Sequence, residues 1–134
     1  MANKSESLLL ARIEKTMPGR PSCAGMPPSA WVEELRQVVS QVSDENEPTI
    51  LSEFFKGLGD PVRVKIVTLL VRKGELCVCE IQAAIGLMQS LTSHHLNILR
   101  RAGIVKASKK GTWVHYGLQK GVADLLDRSK QLLK

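Results

Sequence analysis

The sequence predicts a mainly α-helical protein with one small β-hairpin, and three observations support this fold class. Apolar residues recur at helical spacing along most of the chain, and glycines follow several of these stretches where helices commonly end. Residues 104–118 instead predict two strands around Lys110-Gly111. The 134 residues have a globular composition and are enough for one hydrophobic core.

The N-terminal residues predict a helical extension followed by a linker. Residues 3–16 carry leucines and an isoleucine between polar positions, which indicates a short helix. Residues 17–28 contain four prolines and two glycines, with Cys23 among them, and this composition is typical of a linker. We expect residues 1–28 to form this arm and linker, and residues 29–134 to form the main domain.

Three helices are predicted next, and the third requires a choice between helix and strand. Ser29 is expected to cap the first helix and Thr49 the second. The alternating apolar residues of 62–66 favour a strand by propensity. Asp60 as a preferred cap and Pro61 in the first turn favour a helix, and we predict a helix.

The elements that follow have the arrangement of a winged helix-turn-helix. A short helix closed by Gly86 precedes a helix over residues 89–102, which Gly103 is expected to cap. Strands over residues 104–109 and 112–118 come next, and an amphipathic helix ends the sequence. Two helices joined by a tight turn and followed by a hairpin form a winged helix-turn-helix in outline.

Positive charge is concentrated in the same part of the chain. Residues 1–48 hold five Lys/Arg against seven Asp/Glu, whereas residues 49–134 hold fourteen against six, a net charge of +8. Five basic residues and no acidic residue occur between positions 100 and 110: Arg100, Arg101, Lys106, Lys109 and Lys110. Such a run predicts binding to a polyanion such as DNA, with a solvated charged face as the alternative.

Four motifs of the sequence resemble those of one family of regulators. In chain order they are LGDPVRVKIVTLL, ELCVCEI, SLTSHHLNILRRAGIV and KKGTWVHYGL, and together they span roughly residues 49–120. In order and spacing they are similar to the ArsR/SmtB family of metal-responsive repressors. The resemblance implies a homodimer that binds double-stranded operator DNA with no cofactor and leaves it when a toxic metal or metalloid binds.

The second helix of the helix-turn-helix is expected to read DNA. In this fold the N-terminal half of that helix meets base edges, and its polar residues are Gln89, Ser90, Ser93, His94 and Asn97. The five basic residues named above are expected to contact phosphates, which gives affinity without sequence information. His95 is expected to be packed and hydrogen-bonded, and Trp113 to pack the wing onto the body.

Two positions near the start of this reading helix depart from the family pattern. Met88 stands where the family usually has a capping serine, so one hydrogen bond worth about 1 kcal/mol is expected to be missing. Leu91-Thr92 reverses the usual order of Thr then Val, which places an apolar residue outside and a polar one inside. Either departure is expected to shift the preferred operator sequence.

The motif Cys77-Val-Cys79 predicts a thiolate site at the start of the first helix of the helix-turn-helix. Two residues two positions apart on a regular helix point about 200° from each other. Metal binding is therefore expected to begin in a frayed first turn or to distort the helix, which packs under the reading helix. A trigonal three-sulfur site suits As(III) or Sb(III) first, and Cd or Pb next.

The third ligand is expected to be Cys23, and this follows from the resemblance. One arsenic-sensing branch has its third cysteine three residues after Cys79, where this chain has Gln82. A branch that senses cadmium and lead supplies two cysteines from an N-terminal arm to the CxC pair of the other protomer, and this chain has one. We favour a three-thiolate metalloid site over a tetrahedral site. The alternative is an incomplete Cys77/Cys79 pair with an incidental Cys23.

The family's other metal site, on the terminal helix, is expected to be absent. It needs Asp/His and His/Glu pairs, and this chain has Asp124 and Asp127 there but no histidine after His115.

The sequence also bears on alternative functions and on the location of the protein in the cell. A redox regulator of the same fold, in which a disulfide among the three cysteines alters DNA binding, is the first alternative. An enzyme is disfavoured because the sequence has no nucleophile elbow, phosphate-binding glycine loop, HExxH motif or paired-carboxylate cluster. The CxC motif argues against an architectural protein with no effector. The apolar stretches are too short to span a membrane and no signal peptide is recognisable, so a cytoplasmic protein is expected.

Overall fold

The computed structural model describes residues 4–16, 27–42 and 46–134. Within these residues the chain forms seven helices and three strands, and it divides into two compact units, Met1–Glu47 and Pro48–Lys134. In chain order the elements are α1 Lys4–Thr16, α2 Pro28–Gln41, α3 Glu47–Leu58, α4 Pro61–Lys73, β1 Leu76–Cys77, α5 Val78–Ile85, α6 Gln89–Arg101, β2 Val105–Lys110, β3 Trp113–Leu118 and α7 Val122–Gln131. None of the helices in the described ranges is long and apolar enough to cross a membrane.

The predicted fold class, mainly helical with a small antiparallel sheet and a helical N-terminal extension, is confirmed. The sheet has three strands in the order β1-β3-β2, one more than the predicted hairpin. Strand β1 pairs through Leu76 with Tyr116 and through Cys77 with His115. The helix-turn-helix is α5 and α6 with residues 86–88 between them, and β2 and β3 form the wing.

The N-terminal unit contains α1 and α2, which lie against each other. An ion pair between Arg36 of α2 and Glu6 of α1 joins the two helices. The prediction that Ser29 caps α2 is wrong, because the N-cap lies two residues earlier, at Pro27, in an extended conformation, and the helix begins at Pro28. A proline in the first helical turn loses no hydrogen bond, because its amide would have no partner inside the helix. The linker residues 17–26, with Cys23, lie outside the described residues, and the domain division at residue 28 stays a prediction.

The second unit begins with α3 and α4, which are joined by a short turn. Thr49 was expected to cap α3, but the helix starts two residues earlier, at Glu47, with Pro48 in its first turn. Helix α4 begins as predicted, because the Asp60 carboxylate accepts hydrogen bonds from the backbone N–H groups of Val62, at 2.9 Å, and Arg63, at 3.1 Å. These donors, that of Arg63 above all, hold the pKa of Asp60 below its usual value. The cap therefore outweighs the strand propensity of residues 62–66.

One hydrophobic core lies in the second unit and holds α4, α5, α6 and the sheet together. It receives residues from each of these elements and from the start of α7. The buried apolar residues are Ile66, Val67, Leu70, Ile81, Leu96, Leu99, Ile104, Val105 and Val122. Because α5 and α6 share this core, their relative orientation is fixed by packing as well as by the turn that joins them.

Helix α3 comes very close to the end of α6 at Gly57, and this contact makes a stability prediction. A Cβ atom at Gly57 would lie 2.7 Å from Cβ of Ala102 and 2.8 Å from Cδ1 of Ile104. Alanine normally favours a helix by about 1 kcal/mol over glycine, but such overlap typically costs about 1–3 kcal/mol. We expect Gly57→Ala to lower the free energy of unfolding by up to about 2 kcal/mol in urea titrations.

The matched control for this prediction is Gly57→Ala combined with Ala102→Gly, which removes one of the two overlapping atoms. This double variant should recover part of the missing stability. A Gly57→Ala protein more stable than the wild type would contradict the close approach.

Candidate functional site

Helix α6 buries one face and presents the other to solvent. Its buried residues are Thr92, His95, Leu96 and Leu99. Of the residues predicted to read bases, Gln89, Ser90, His94 and Asn97 are exposed, and Ser93 is half-buried. Arg100 and Arg101, in the last turn, are also exposed. The helix therefore offers hydrogen-bonding groups along its exposed face and two positive charges at its C-terminal end.

His95 anchors α6 to the rest of the unit, and the prediction of a packed, hydrogen-bonded histidine is confirmed. Its side chain is buried, and Nδ1 lies 3.3 Å from Nη1 of Arg63. A guanidinium can only donate hydrogen bonds, so Nδ1 is the acceptor in this contact. The same Arg63 donates through Nε to the carbonyl of Gly57, at 2.7 Å, and through Nη2 to that of Lys56, at 3.2 Å. One arginine thus ties the end of α3 to α6.

The start of α6 shows both departures that the sequence indicated. Met88 is the N-cap, and within residues 46–134 its side chain makes no capping hydrogen bond. Thr92 is buried, and its Oγ1 donates to the carbonyl of Met88 at 3.0 Å. Leu91, the preceding residue, remains 42% exposed. As expected from the reversed sequence order, the apolar residue Leu91 is exposed and the polar residue Thr92 is buried.

The wing carries the three predicted lysines. Lys106, Lys109 and Lys110 of β2 are all exposed, and β2 is paired with β3 up to its last residue, where Lys110 faces Trp113. The Nζ atom of Lys110 lies 2.7 Å from Oε2 of Glu75, just before β1. This ammonium, through its hydrogen bond first, lowers the pKa of the Glu75 carboxyl.

The prediction that Trp113 packs the wing onto the body is wrong. Trp113 is 60% exposed, and the next residue, Val114, is exposed as well. Both belong to the end of the hairpin that extends beyond the hydrophobic core, so neither face of the sheet is covered there. The wing is held by its pairing with β1 and by the bridge from Lys110 to Glu75.

The two cysteines of the CxC motif lie where a strand becomes a helix. Cys77 is the last residue of β1 and the N-cap of α5, with extended backbone angles (φ −81°, ψ 166°), and Cys79 is exposed in the first turn. The predicted position at the start of the helix is confirmed, but Cys77 precedes the first helical turn, so the separation of about 200° calculated for a regular helix does not apply to this pair.

Two ionisable residues that sequence analysis missed surround Cys77. The backbone N–H of Cys77 donates to Oε1 of Glu80 at 3.0 Å. This bond first, and one from the Cys77 thiol next, lower the pKa of the Glu80 carboxyl. His115 is the direct cross-strand partner of Cys77, and such partners lie side by side on one face of a sheet. The spacing of Cys77 and Glu80, which fits a capping box, was a usable signal for the first contact.

A complete metal-binding group does not occur within the described residues. No three Cys, His, Asp or Glu side chains in residues 4–16, 27–42 and 46–134 are placed to hold a metal ion together. Cys77 and Cys79 are close in sequence and free, and Cys23, the predicted third ligand, lies outside the described residues. The three-thiolate site stays a prediction.

Comparison with known proteins identifies the fold and the family. Residues 60–107 match the family model described as bacterial regulatory protein, arsR family. An HTH-type transcriptional regulator of Methanocaldococcus jannaschii is 46% identical over 62% of this chain and 86% of its own length. A transcriptional repressor SmtB homolog of Synechocystis is 38% identical over 68% of each chain. An arsenic resistance transcriptional regulator of Pseudomonas putida is 45% identical over 54% of this chain and 57% of its own length.

A solved structure leads to the same result. The homodimeric winged helix-turn-helix DNA-binding domain of a possible ArsR-family regulator from Mycobacterium bovis superposes with a TM-score of 0.62. The two share 25% identity over 68% of this chain and 87% of that one. The helix-turn-helix, the wing and the sequence relatives together show that this chain belongs to the ArsR/SmtB family of winged-helix transcriptional regulators.

Proposed function

We propose that the protein is a homodimeric repressor that binds operator DNA and releases it when a thiophilic metalloid or metal binds Cys77, Cys79 and Cys23. One observation carries this proposal: the CxC motif lies at the junction between the wing's sheet and the first helix of the helix-turn-helix. A ligand at this junction binds to β1, which pairs with the wing, and to α5, which packs against α6. The arsenic resistance regulator of Pseudomonas putida, to which the chain is similar, makes an arsenic-type inducer the first choice.

The DNA surface of the proposal combines the exposed face of α6 with the wing. Side chains at the start of α6 would meet base edges in the major groove, where amide and hydroxyl groups can distinguish base pairs. The basic residues would contact phosphates and fix the position of the protein on the duplex. The base-reading set is Gln89, Ser90, Ser93, His94 and Asn97, and the phosphate set is Arg100, Arg101, Lys106, Lys109 and Lys110.

The inducer is expected to be As(III) or Sb(III), followed by Cd(II) or Pb(II). Thiolates are soft ligands and select soft ions, whereas Mg²⁺ and Ca²⁺ require oxygen ligands. Three thiolates match the trigonal geometry of trivalent arsenic and antimony. Cys77 and Cys79 supply two of them, and Cys23 supplies the third.

Binding of a metalloid would disturb the cap of α5. The thiols must lose their protons to become ligands, and for Cys77 this would occur at the N-cap of α5, whose backbone N–H donates to Oε1 of Glu80 at 3.0 Å. Movement of Cys77 toward the bound ion would lengthen or break this hydrogen bond, which belongs to the cap of α5. Helix α5 packs on α6 and β1 pairs with the wing. A change at Cys77 can therefore reach both DNA-binding elements.

The experiment that tests the proposal is a titration of the reduced, full-length protein on its own promoter DNA. As(III), Sb(III), Cd(II), Zn(II) and peroxide are added separately, and fluorescence anisotropy follows DNA release while ultraviolet absorption follows metal–thiolate bonds. We expect release by As(III) or Sb(III) at one equivalent per site, with Cd(II) weaker and Zn(II) inactive. Release by peroxide alone would favour the redox alternative.

The role of Cys23 gives a separate prediction. If it is the third ligand, Cys23→Ser should weaken As(III) binding and raise the As(III) concentration needed for DNA release by at least about tenfold, since one of three metal–sulfur bonds is removed. DNA affinity without As(III) should not change. A Cys23→Ser protein that is fully induced at the wild-type As(III) concentration would eliminate the three-thiolate model. The site would then be a two-sulfur site completed by solvent or an added thiol.

Exposed apolar residues favour a two-fold dimer and predict its interface. Such residues occur on α2, on α3 and directly after α7. The exposed apolar side chains are Leu35, Val38 and Val39 of α2, Ile50, Leu51 and Phe55 of α3, and Leu132 and Leu133 after α7. Single exposed apolar residues are ordinary, but rows of them on surface helices mark contact surfaces.

We expect the protein to sediment as a dimer at micromolar concentration. Ile50→Glu should shift it toward monomer, because a charge would be buried without a partner in an apolar contact. Ser52→Glu, which adds the same charge to the same helix, is the matched control. A wild-type protein that sediments as a monomer would contradict the dimer.

A further inference from the structure

Two apolar side chains occupy the end of α6 that is proposed to read DNA. Met88 is 75% exposed and Leu91 is 42% exposed, although they flank the polar residues Gln89 and Ser90. Neither side chain belongs to the buried hydrophobic core. The rest of this proposed reading surface is polar or positively charged, so the two residues form a small apolar patch within it.

The position of this patch is fixed by Thr92. Its backbone N–H and its hydroxyl both donate to the carbonyl of Met88, each at 3.0 Å, and its side chain is buried. These bonds set the helical register at the start of α6, and Leu91, one residue earlier, is turned away from the core by about 100°. The Thr92 hydroxyl is therefore already hydrogen-bonded within the helix. The Leu91 side chain, at the neighbouring exposed position, presents only carbon atoms.

The major groove of DNA offers one apolar feature that fits such a patch. Base edges there carry hydrogen-bond donors and acceptors, except for the 5-methyl group of thymine. A leucine or methionine gains nothing from the polar edges but removes apolar surface from water when it packs against this methyl group. We propose that Met88 and Leu91 bind thymine 5-methyl groups in each half-site of the operator, and so require thymine at defined positions.

This inference rests on the proposed DNA-binding function and deepens it by naming a chemical feature of the operator. Removing one buried methyl group should weaken binding about fourfold, since each buried carbon contributes roughly the transfer free energy of one CH₂. A two-fold dimer contacts the same position in both half-sites, so removing both methyl groups should weaken binding about fifteenfold.

The test uses the full-length, reduced protein and duplexes selected by it from a randomised DNA library. Each thymine of the selected duplex is replaced singly by uracil, which removes the methyl group and leaves the hydrogen-bonding edge unchanged. We expect about fourfold weaker binding at one or two thymines of each half-site and unchanged binding at the others. In Leu91→Ser the penalty at its thymine should disappear, so that thymine and uracil bind equally.

The Met88→Ser variant distinguishes an effect on thymine recognition from an effect on the stability of the protein. A serine at the N-cap supplies the missing capping oxygen, so the thermal midpoint should rise while the uracil penalty at the thymine read by Met88 disappears. Val71→Ser, which removes an exposed apolar side chain from α4, is the matched control and should keep every uracil penalty.

The possible results separate a failure of DNA binding from a failure of thymine-methyl recognition. A protein that selects no duplex would refute DNA binding and the inference together. A protein that selects a duplex but tolerates uracil at every position would refute the inference and leave DNA binding intact. Uracil penalties that persist in both serine variants would also overturn it, because other residues would then be reading the methyl groups.

Discussion

Proteins with Cys77→Ser or Cys79→Ser are expected to bind operator DNA normally and to stay bound when As(III) is added. An inducer that prefers the free protein must weaken DNA binding by the same factor by which DNA weakens inducer binding, typically about 5- to 150-fold. Each substitution removes one of the proposed ligands, so this factor should fall to nearly one. The measurement is the operator dissociation constant by anisotropy, with and without As(III).

The structure indicates why DNA affinity should survive these changes. Cys77 is the N-cap of α5, and serine is a preferred residue at that position, so the helix start is retained. Cys79 is exposed and does not belong to the hydrophobic core. Neither cysteine lies on α6 or at the wing tip.

The matched control is Ala83→Ser, a substitution at an exposed position of the same helix that removes no sulfur. This variant should release DNA as the wild type does. If either cysteine variant were still released by As(III) at the wild-type concentration, that cysteine would not be a ligand. A loss of DNA affinity in the absence of As(III) would instead show that the cysteine supports the fold of the helix-turn-helix.

The helices were predictable from the sequence where a local signal decides the structure. Asp60 before Pro61 fixes the start of α4 with two short hydrogen bonds, and these outweigh the strand propensity of the residues that follow. Gly86 and Gly103 adopt positive φ angles after α5 and α6, as a helix-ending glycine does. The starts of α2 and α3 were misplaced because prolines in the first turn extended each helix beyond the expected cap.

Strand β1 could not be predicted because its cause is not local. It contains only two residues, and it exists because they pair with residues about forty positions later, at Tyr116 and His115. This pairing removes Cys77 from the helix and places it beside His115. A prediction based on helical angles alone therefore gave the wrong geometry for the thiol pair, although it placed the pair correctly at the start of α5.

The exposure of Trp113 also depends on strand pairing, which the local sequence does not determine. A tryptophan in a short strand suggests packing, since burial of its large ring is favourable. Its register opposite Lys110, at the very end of the hairpin, decides otherwise, because the core does not extend that far. Composition indicated a basic wing correctly, but only the strand pairing shows which of its residues the body can cover.

The affinity for duplex DNA is expected to fall steeply with salt. Bound phosphates release counterions, and six to ten of them reduce affinity by about 10³- to 10⁵-fold between 50 and 200 mM salt. The five exposed basic residues of α6 and the wing would allow a dimer to neutralise up to about ten phosphates. Lys109→Ala and Lys110→Ala should each lower the log–log slope by about one for every phosphate that is no longer neutralised. Lys73→Ala, at the exposed end of α4, is the matched control and should leave the slope unchanged.

The ion pair between Lys110 and Glu75 makes the prediction of salt dependence more specific. Glu75 holds Lys110 at 2.7 Å, so part of the charge of Lys110 is neutralised before DNA arrives. Glu75→Gln should free this ammonium and strengthen DNA binding at low salt, whereas Lys110→Ala leaves Glu75 as an unpaired negative charge close to the phosphates. The two substitutions at one ion pair should therefore shift affinity in opposite directions. Unchanged slopes for both lysine variants would show that the wing does not lie on the phosphate backbone, and DNA binding would then be confined to α6.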